Sequence, residues 1–204
     1  MKLPKPRLER TKSVGEALRL RCTTRTIDAR ELTPSELSNA LFAACGVNRR
    51  RGPFGDVGVT AASASNSQEV RVYVLLERGA FEFEPRRHAL RAVTSKDLRV
   101  LARTPHQPIE SRAPVQLVFV VDLDRLEHTR GFDEPGLHDP EVQRAYYFVD
   151  TGMIAGNVYL YAASRGLACW FHNCDKTKLA RELKLGTKRR ALFALSLGHP
   201  AKGP

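Results

Sequence analysis

Two short stretches hold the side chains best suited to chemistry. Arg21-Cys22-Thr23-Thr24-Arg25 places two guanidiniums and two threonine hydroxyls within five residues. Guanidinium forks and hydroxyls match the oxygens of a phosphate. In an extended segment residues two apart share a face, so Arg21, Thr23 and Arg25 can converge on one anion. The same residues would also suit a solvent-facing polar segment. Further along, Ala62-Ser63-Ala64-Ser65-Asn66-Ser67-Gln68 is a run of small side chains with two amides at its end. Small residues let a flat ring approach the backbone, and Asn66 and Gln68 each offer a donor and an acceptor. Together the stretches suggest a phosphorylated ring cofactor bound between segments distant in sequence. No Gly-x-Gly-x-x-Gly and no Walker loop is present, so a Rossmann dinucleotide site is not expected.

The elements that must position these residues mix strand and helix. A short helical turn over 15–20 leads into Arg21. Thr33-Pro34-Ser35-Glu36 is a helix start, with Thr33 as N-cap and Glu36 completing a capping box. That helix runs to about Ala44, with Leu37, Ala40, Leu41 and Ala44 on one face, and Gly46 ends it. Residues 46–59, rich in glycine and arginine, read as a flexible loop. The strand Val70–Leu76 and a second from Ala80 to Glu84 form a hairpin around Glu77-Arg78-Gly79. Residues 90–101 are assigned a short helix from Ser95 onward. Val115–Asp122 is a nearly continuous apolar run, hence a buried central strand. Residues 129–138 form a loop, and a long helix follows from Pro140 to Ser164. Gly152 and Gly156 lie inside it, at a cost of up to about 1 kcal/mol each, which implies that something packs very close there. A short strand at 169–171, a helix over 177–185 and a last buried strand over 191–197 complete the chain. Antiparallel hairpins without strict βαβ alternation make the fold class α+β.

With 204 residues the chain suits one domain, 15–204, preceded by a polar, basic arm over 1–14. At 42% hydrophobic and 27% charged it has the composition of a soluble globular protein. No apolar run approaches the roughly 20 residues of a membrane span. The first residues do not read as a signal peptide, and the expected location is cytoplasmic. Cys169, His172 and Cys174 invite a metal reading, but Cys-x4-Cys is loose for zinc, and Cys22 and Cys45 are single. Reduced thiols are the better account, and no metal is assigned. The net charge of +11 would suit nucleic acid. Its basic residues are scattered in turns, however, and aromatics are only 7%. A basic solvated surface is the better reading, and nucleic acid is not an expected partner.

Taken in order, the motifs resemble the nitroreductase-like flavoproteins, particularly the short dehydrogenase or oxidase branch linked to thiazole and oxazole formation. The resemblance covers roughly residues 19–202. Its opening Arg-x-Ser-x-Arg is Arg21-x-Thr23-x-Arg25 here, and its Gly-x-Asn-Arg is Gly46-Val47-Asn48-Arg49. Its Pro-Ser-Ala-x-Asn-x-Gln is Ala62-Ser63-Ala64-Ser65-Asn66-Ser67-Gln68. Asp150-Thr151-Gly152, Gly166-Leu167-Ala168 and Gly198-His199-Pro200 follow in the family's order. Thr23 stands for Ser, Ala62 for Pro and Ala168 for Gly. The resemblance implies a central mixed or antiparallel sheet flanked by helices, an intertwined homodimer and FMN at the interface. It implies that Arg21 and Thr23 hold the phosphate or ribityl side, with Arg25 toward the phosphate or the pyrimidine edge. Ser63, Ala64, Asn66 and Gln68 would contact ribityl and ring, Gly166 would approach from another segment, and Lys202 would supply a late basic contact. The implied activity is an FMN-dependent oxidoreductase passing electrons between NAD(P)H or an organic donor and an acceptor through flavin N5. The alternative is a non-catalytic flavin-binding or nucleic-acid-binding module.

Overall fold

The computed structural model describes residues 1–8, 11–107, 111–130 and 139–201. Its helices are α1 (Val14–Leu20), α2 (Pro34–Cys45), α3 (Leu123–Glu127), α4 (Pro140–Arg165) and α5 (Lys176–Glu182). Its strands are β1 (Val47–Arg49), β2 (Gly58–Val59), β3 (Val70–Leu76), β4 (Gly79–Glu84), β5 (Ala89–Thr94), β6 (Val115–Asp122), β7 (Ala168–His172) and β8 (Arg189–Gly198). Six strands form one sheet in the order β5-β4-β3-β6-β8-β7, with every pairing antiparallel. The expected α+β class holds, with a purely antiparallel rather than a mixed sheet.

Strand periodicity explains the layering. Val70, Val72, Val74 and Leu76 of β3 face the same core as Leu117, Phe119 and Val121 of β6, where Leu41 of α2 and Ile154 and Val158 of α4 pack. The intervening Tyr73, Leu75, Val118 and Val120 face the opposite core, beside Leu98, Leu179 and Leu183. With both faces covered, β6 is buried along its whole length, which is why it reads as a continuous apolar run. The N-caps behave as the sequence dictates: Thr33 and Glu36 close a capping box on α2, and Ser13 and Glu16 close another on α1.

Two expectations are corrected. The helix expected from Ser95 onward is preceded by edge strand β5 and replaced by a 3-10 turn over Arg99–Ala102. Pairing with β4, including Glu82 opposite Arg91 with their side chains bridged, sets the conformation there; a polar edge strand leaves little trace in apolar periodicity. The segment 46–59 holds the antiparallel pair β1–β2 around a 3-10 turn and is not a plain loop. The loop expected at 129–138 lies, from 131 onward, outside the described residues. Residues 1–8 of the arm lie on their own chain. The Leu3 amide donates to the His88 carbonyl at 3.2 Å, and Ser38 Oγ donates to the Pro4 carbonyl at 2.7 Å.

Candidate functional site

The segment after α1 runs exposed along β7, the edge strand of the sheet. One backbone bond, from the Thr24 amide to the Cys169 carbonyl at 3.0 Å, ties it there. Arg21 lies with its guanidinium 5.7 Å from the centre of the Tyr159 ring, and the Thr23 hydroxyl sits 3.2 Å from the Tyr159 hydroxyl. Arg25 lies 5.9 Å from the centre of a Trp170 ring. The alternation expected from an extended segment is thus partly met: Arg21 and Thr23 share Tyr159, and Arg25 lies over the neighbouring strand. Among the described residues neither arginine has a carboxylate partner in an ion pair. Two solvent-facing guanidiniums steadied by aromatic faces keep their charge available to an anion. Tyr159, which no sequence motif singled out, organises this half. Its hydroxyl also accepts the Phe171 amide at 2.9 Å. Its position on α4 facing Arg21 follows only from α1 packing on α4.

The loop Ser63–Gln68 is built differently. Ser65, Asn66 and Gln68 all have left-handed backbone, with φ of 46°, 55° and 51°. Such conformations cost non-glycine residues on the order of 1–3 kcal/mol each and persist only where surroundings enforce them. The enforcement is visible. Ser63 Oγ accepts the Gln68 amide at 3.0 Å, and the side-chain amides of Asn66 and Gln68 donate to the Val57 carbonyl at 3.1 and 2.7 Å. The Arg125 guanidinium donates to the Ser67 carbonyl at 2.5 Å. The Ala64 amide donates to Asp150 of α4 at 3.1 Å, and the Ser67 hydroxyl donates to Glu69 at 2.6 Å. The NH2 groups expected to meet a ring edge therefore hold the loop's shape.

Both stretches rest on α4, but not together. Tyr159 and Asp150 are nine residues apart, which is two and a half turns, or roughly 13 Å along the axis on opposite sides of the helix. On the outer face of α4, Val149 and Met153 remain 62% and 48% exposed, and a Cβ added at Gly152 or Gly156 would meet nothing within 4 Å. Among the described residues nothing supplies the close packing those glycines suggested.

Beside the loop opens a cleft of about 290 Å³ with Val72, Phe83 and Ile154 in its wall and Arg71, Arg86 and Arg125 among its polar lining. Glu69 and Asp150 line it too. Glu69 is wholly buried, and burial together with the charge of Asp150 pushes its carboxyl up to about 7. Burial raises Asp150 as well, against the bond from Ala64. The sequence reading attached no role to Glu69; a glutamate directly after the Gln of the motif, at the start of a buried strand, was the available signal.

The remaining expected residues scatter. Gly166 closes α4 with a left-handed φ of 66°, a conformation that glycine adopts without strain. Lys202 lies outside the described residues. Cys169 and Cys174 face opposite cores of the sheet. His172 bonds the Asn173 carbonyl and Ser196 at 2.9 and 2.8 Å, and burial lowers its pKa to about 4.

The sequence pattern of the nitroreductase family matches residues 18–199. A protein named as a nitroreductase in Methanocaldococcus jannaschii is 28% identical over 175 residues, covering 82% of this chain and 81% of that one. The crystal structure of a protein named as a nitroreductase from Ralstonia eutropha superposes with a TM-score of 0.87 at 30% identity, covering all of this chain and 90% of that one. An NADPH:FMN oxidoreductase from Vibrio harveyi, solved with NAD+, shares the fold at a TM-score of 0.62 and 22% identity, over 94% of this chain and 70% of its own.

Proposed function

The chain belongs to the nitroreductase family, and on that premise we propose that it is an FMN-dependent oxidoreductase working as a homodimer. The observation that carries the reading is the pair of guanidiniums at Arg21 and Arg25, exposed, held over aromatic rings and without a carboxylate partner in an ion pair among the described residues. They fit a phosphate, and the small-residue loop Ser63–Gln68 fits the approach of a flat ring. When bound, FMN supplies redox chemistry at N5 between NAD(P)H or an organic donor and an acceptor. Arg21 and Thr23 orient the phosphate or ribityl end, and Arg25 adds positive charge near the pyrimidine edge. Ser63 and Ala64 present backbone and small side chains to the ring, while Asn66 and Gln68 fix the loop that does so. Gly166 and Lys202 belong to the same proposed site, Gly166 by ending α4 next to β7.

The second chain follows from the layout on α4. Each half-site lies on its own side of that helix, and the outer face with Val149, Gly152, Met153 and Gly156 fits a second copy at close range. Two facing copies would set the 21–25 segment of one against the 63–68 loop of the other. Among the described residues no helix is long and apolar enough to cross a membrane, in keeping with a cytoplasmic enzyme.

The test is an absorption spectrum of the purified protein. The expected result is a flavin band that NADH or NADPH bleaches in the absence of oxygen. A flavin that both nicotinamides leave oxidised, but that an organic donor reduces, places the protein in the short branch linked to thiazole and oxazole formation. A colourless protein that takes up no FMN overturns the reading.

A further inference from the structure

Glu69 and Asp150 are buried acids to which the flavin chemistry assigns no task. Their geometry is specific. Asp150 accepts the Ala64 amide at one end of the loop, and Glu69 accepts the Ser67 hydroxyl on Oε2 at the other. Among the described residues Glu69 Oε1 is buried without a hydrogen-bond partner, in the wall of the cleft that Asp150 also lines. Between the two anchors stand the left-handed residues Ser65 and Asn66, with Gln68 just beyond. A backbone strained in this way needs its anchors kept at a fixed separation.

Two adjacent carboxyls withdrawn from water do not both ionise readily; one proton between them removes the repulsion and gives the orphan oxygen a role. The surrounding charges do not replace that proton. Arg71 pairs with Glu82, Arg86 and Arg125 with Asp56, and Arg87 with Glu84. Asp122, whose amide donates to the Glu69 carbonyl, gives its carboxylate to Arg189. Cys45, also in the cleft wall, is held neutral because burial pushes its thiol up to about 12.

We propose that Glu69 and Asp150 are positioning residues acting as one acid pair: a single proton held between them clamps the Ser63–Gln68 loop at both ends, and its loss to solvent drives the anchors apart and loosens the loop. The consequence for flavin rests on the reading that this loop contacts FMN; the clamp itself does not. The sign is fixed by Glu69. In the unfolded chain it releases its proton near the ordinary value of 4.5, and in the fold it keeps the proton to about 7. The folded state binds more protons across that window, so stability falls as pH rises through it.

Amide hydrogen exchange of the flavin-free protein, corrected for intrinsic rates, tests the clamp at pH 6 and pH 8.5. The expected result is a loss of protection at Ala64–Gln68 of about tenfold at the higher pH, appearing through local opening at exchange rates well above those of β3 and β6, which report only global unfolding. In Glu69→Gln, a neutral mimic of the protonated acid, protection should stay high at both. Loop protection that is the same at both pH values in the wild type, or a pH dependence that survives in Glu69→Gln, overturns the proposal. The wild type alone gives a second reading should that variant fail to fold. A protonated carboxylic acid C=O band in the infrared at pH 6, lost by pH 8.5, supports the pair, and its absence at pH 6 overturns it. FMN titration then separates the two claims. Affinity that weakens as pH rises through 7 in the wild type but stays flat in Glu69→Gln links the clamp to the cofactor. A protein that binds no FMN while the exchange result holds defeats the flavin reading and leaves the clamp standing.

Discussion

The two halves of the proposed site are built in opposite ways. Residues 21–25 lie exposed on a sheet edge, tied by one backbone bond to β7 and by contacts with two aromatic rings. Residues 63–68 carry three left-handed non-glycine residues pinned by α3, α4 and the Val57 carbonyl. The first half keeps charge available by leaving it unpaired. The second keeps shape by committing its amides internally. A dianionic phosphate needs strong, adaptable cations, whereas a rigid ring needs a surface that does not move when it binds. On the proposed reading the segments divide those demands, and a second copy facing α4 would bring them together.

The largest expected effect breaks the comparison at α4. Val149→Asp with Met153→Asp sets charge into the proposed helix contact. Burying such charges costs several kcal/mol, so the protein should become monomeric by light scattering and lose FMN affinity by about a hundredfold or more. A monomer with undiminished FMN affinity would show that one chain suffices. Next, Arg21→Ala removes a charge-assisted contact of roughly 1.5–3 kcal/mol, about tenfold to a hundredfold in FMN dissociation constant. The loss should shrink in high salt, because the segment is exposed; unchanged affinity takes Arg21 out of the site. Gly198→Ala probes what holds the exposed half. A Cβ there would lie 2.6 Å from Ile27 Cγ2 and 2.8 Å from Pro114 Cδ. Overpacking of this kind costs about 1–3 kcal/mol, visible as a lower melting temperature. The smallest effect is expected of Asn66→Ala. It removes one of two amides on the Val57 carbonyl, worth about 1 kcal/mol, and should weaken FMN binding only a few-fold. A loss as large as that of Arg21→Ala would mean that Asn66 touches the cofactor directly.

Much of the frame is legible in the residues. Thr33 and Glu36 state where α2 starts, and the apolar run Val115–Asp122 states that β6 is central, because capping and strand burial act through neighbours in sequence. β5 was not legible: its hydrogen bonds come from β4, and its side chains alternate too weakly to announce a strand. Glu69 was not legible as an acid of raised pKa, since that depends on Asp150, a residue distant in the chain. Gly152 and Gly156 suggested close approach, yet among the described residues a Cβ at either position would meet nothing within 4 Å.

The sequence by itself determined the order of motifs, the α+β class and the residue types at the site: guanidiniums and hydroxyls at 21–25, small residues and amides at 62–68. Local chemistry suffices for these, because propensity, capping and side-chain functionality are properties of a residue and its near neighbours. Tertiary structure alone decided how those residues are used. It laid Arg21 over Tyr159, turned the amides of Asn66 and Gln68 inward to Val57, buried Glu69 beside Asp150 and put the two stretches on opposite sides of one helix. Each of these depends on distances between residues far apart in the chain, which only packing sets.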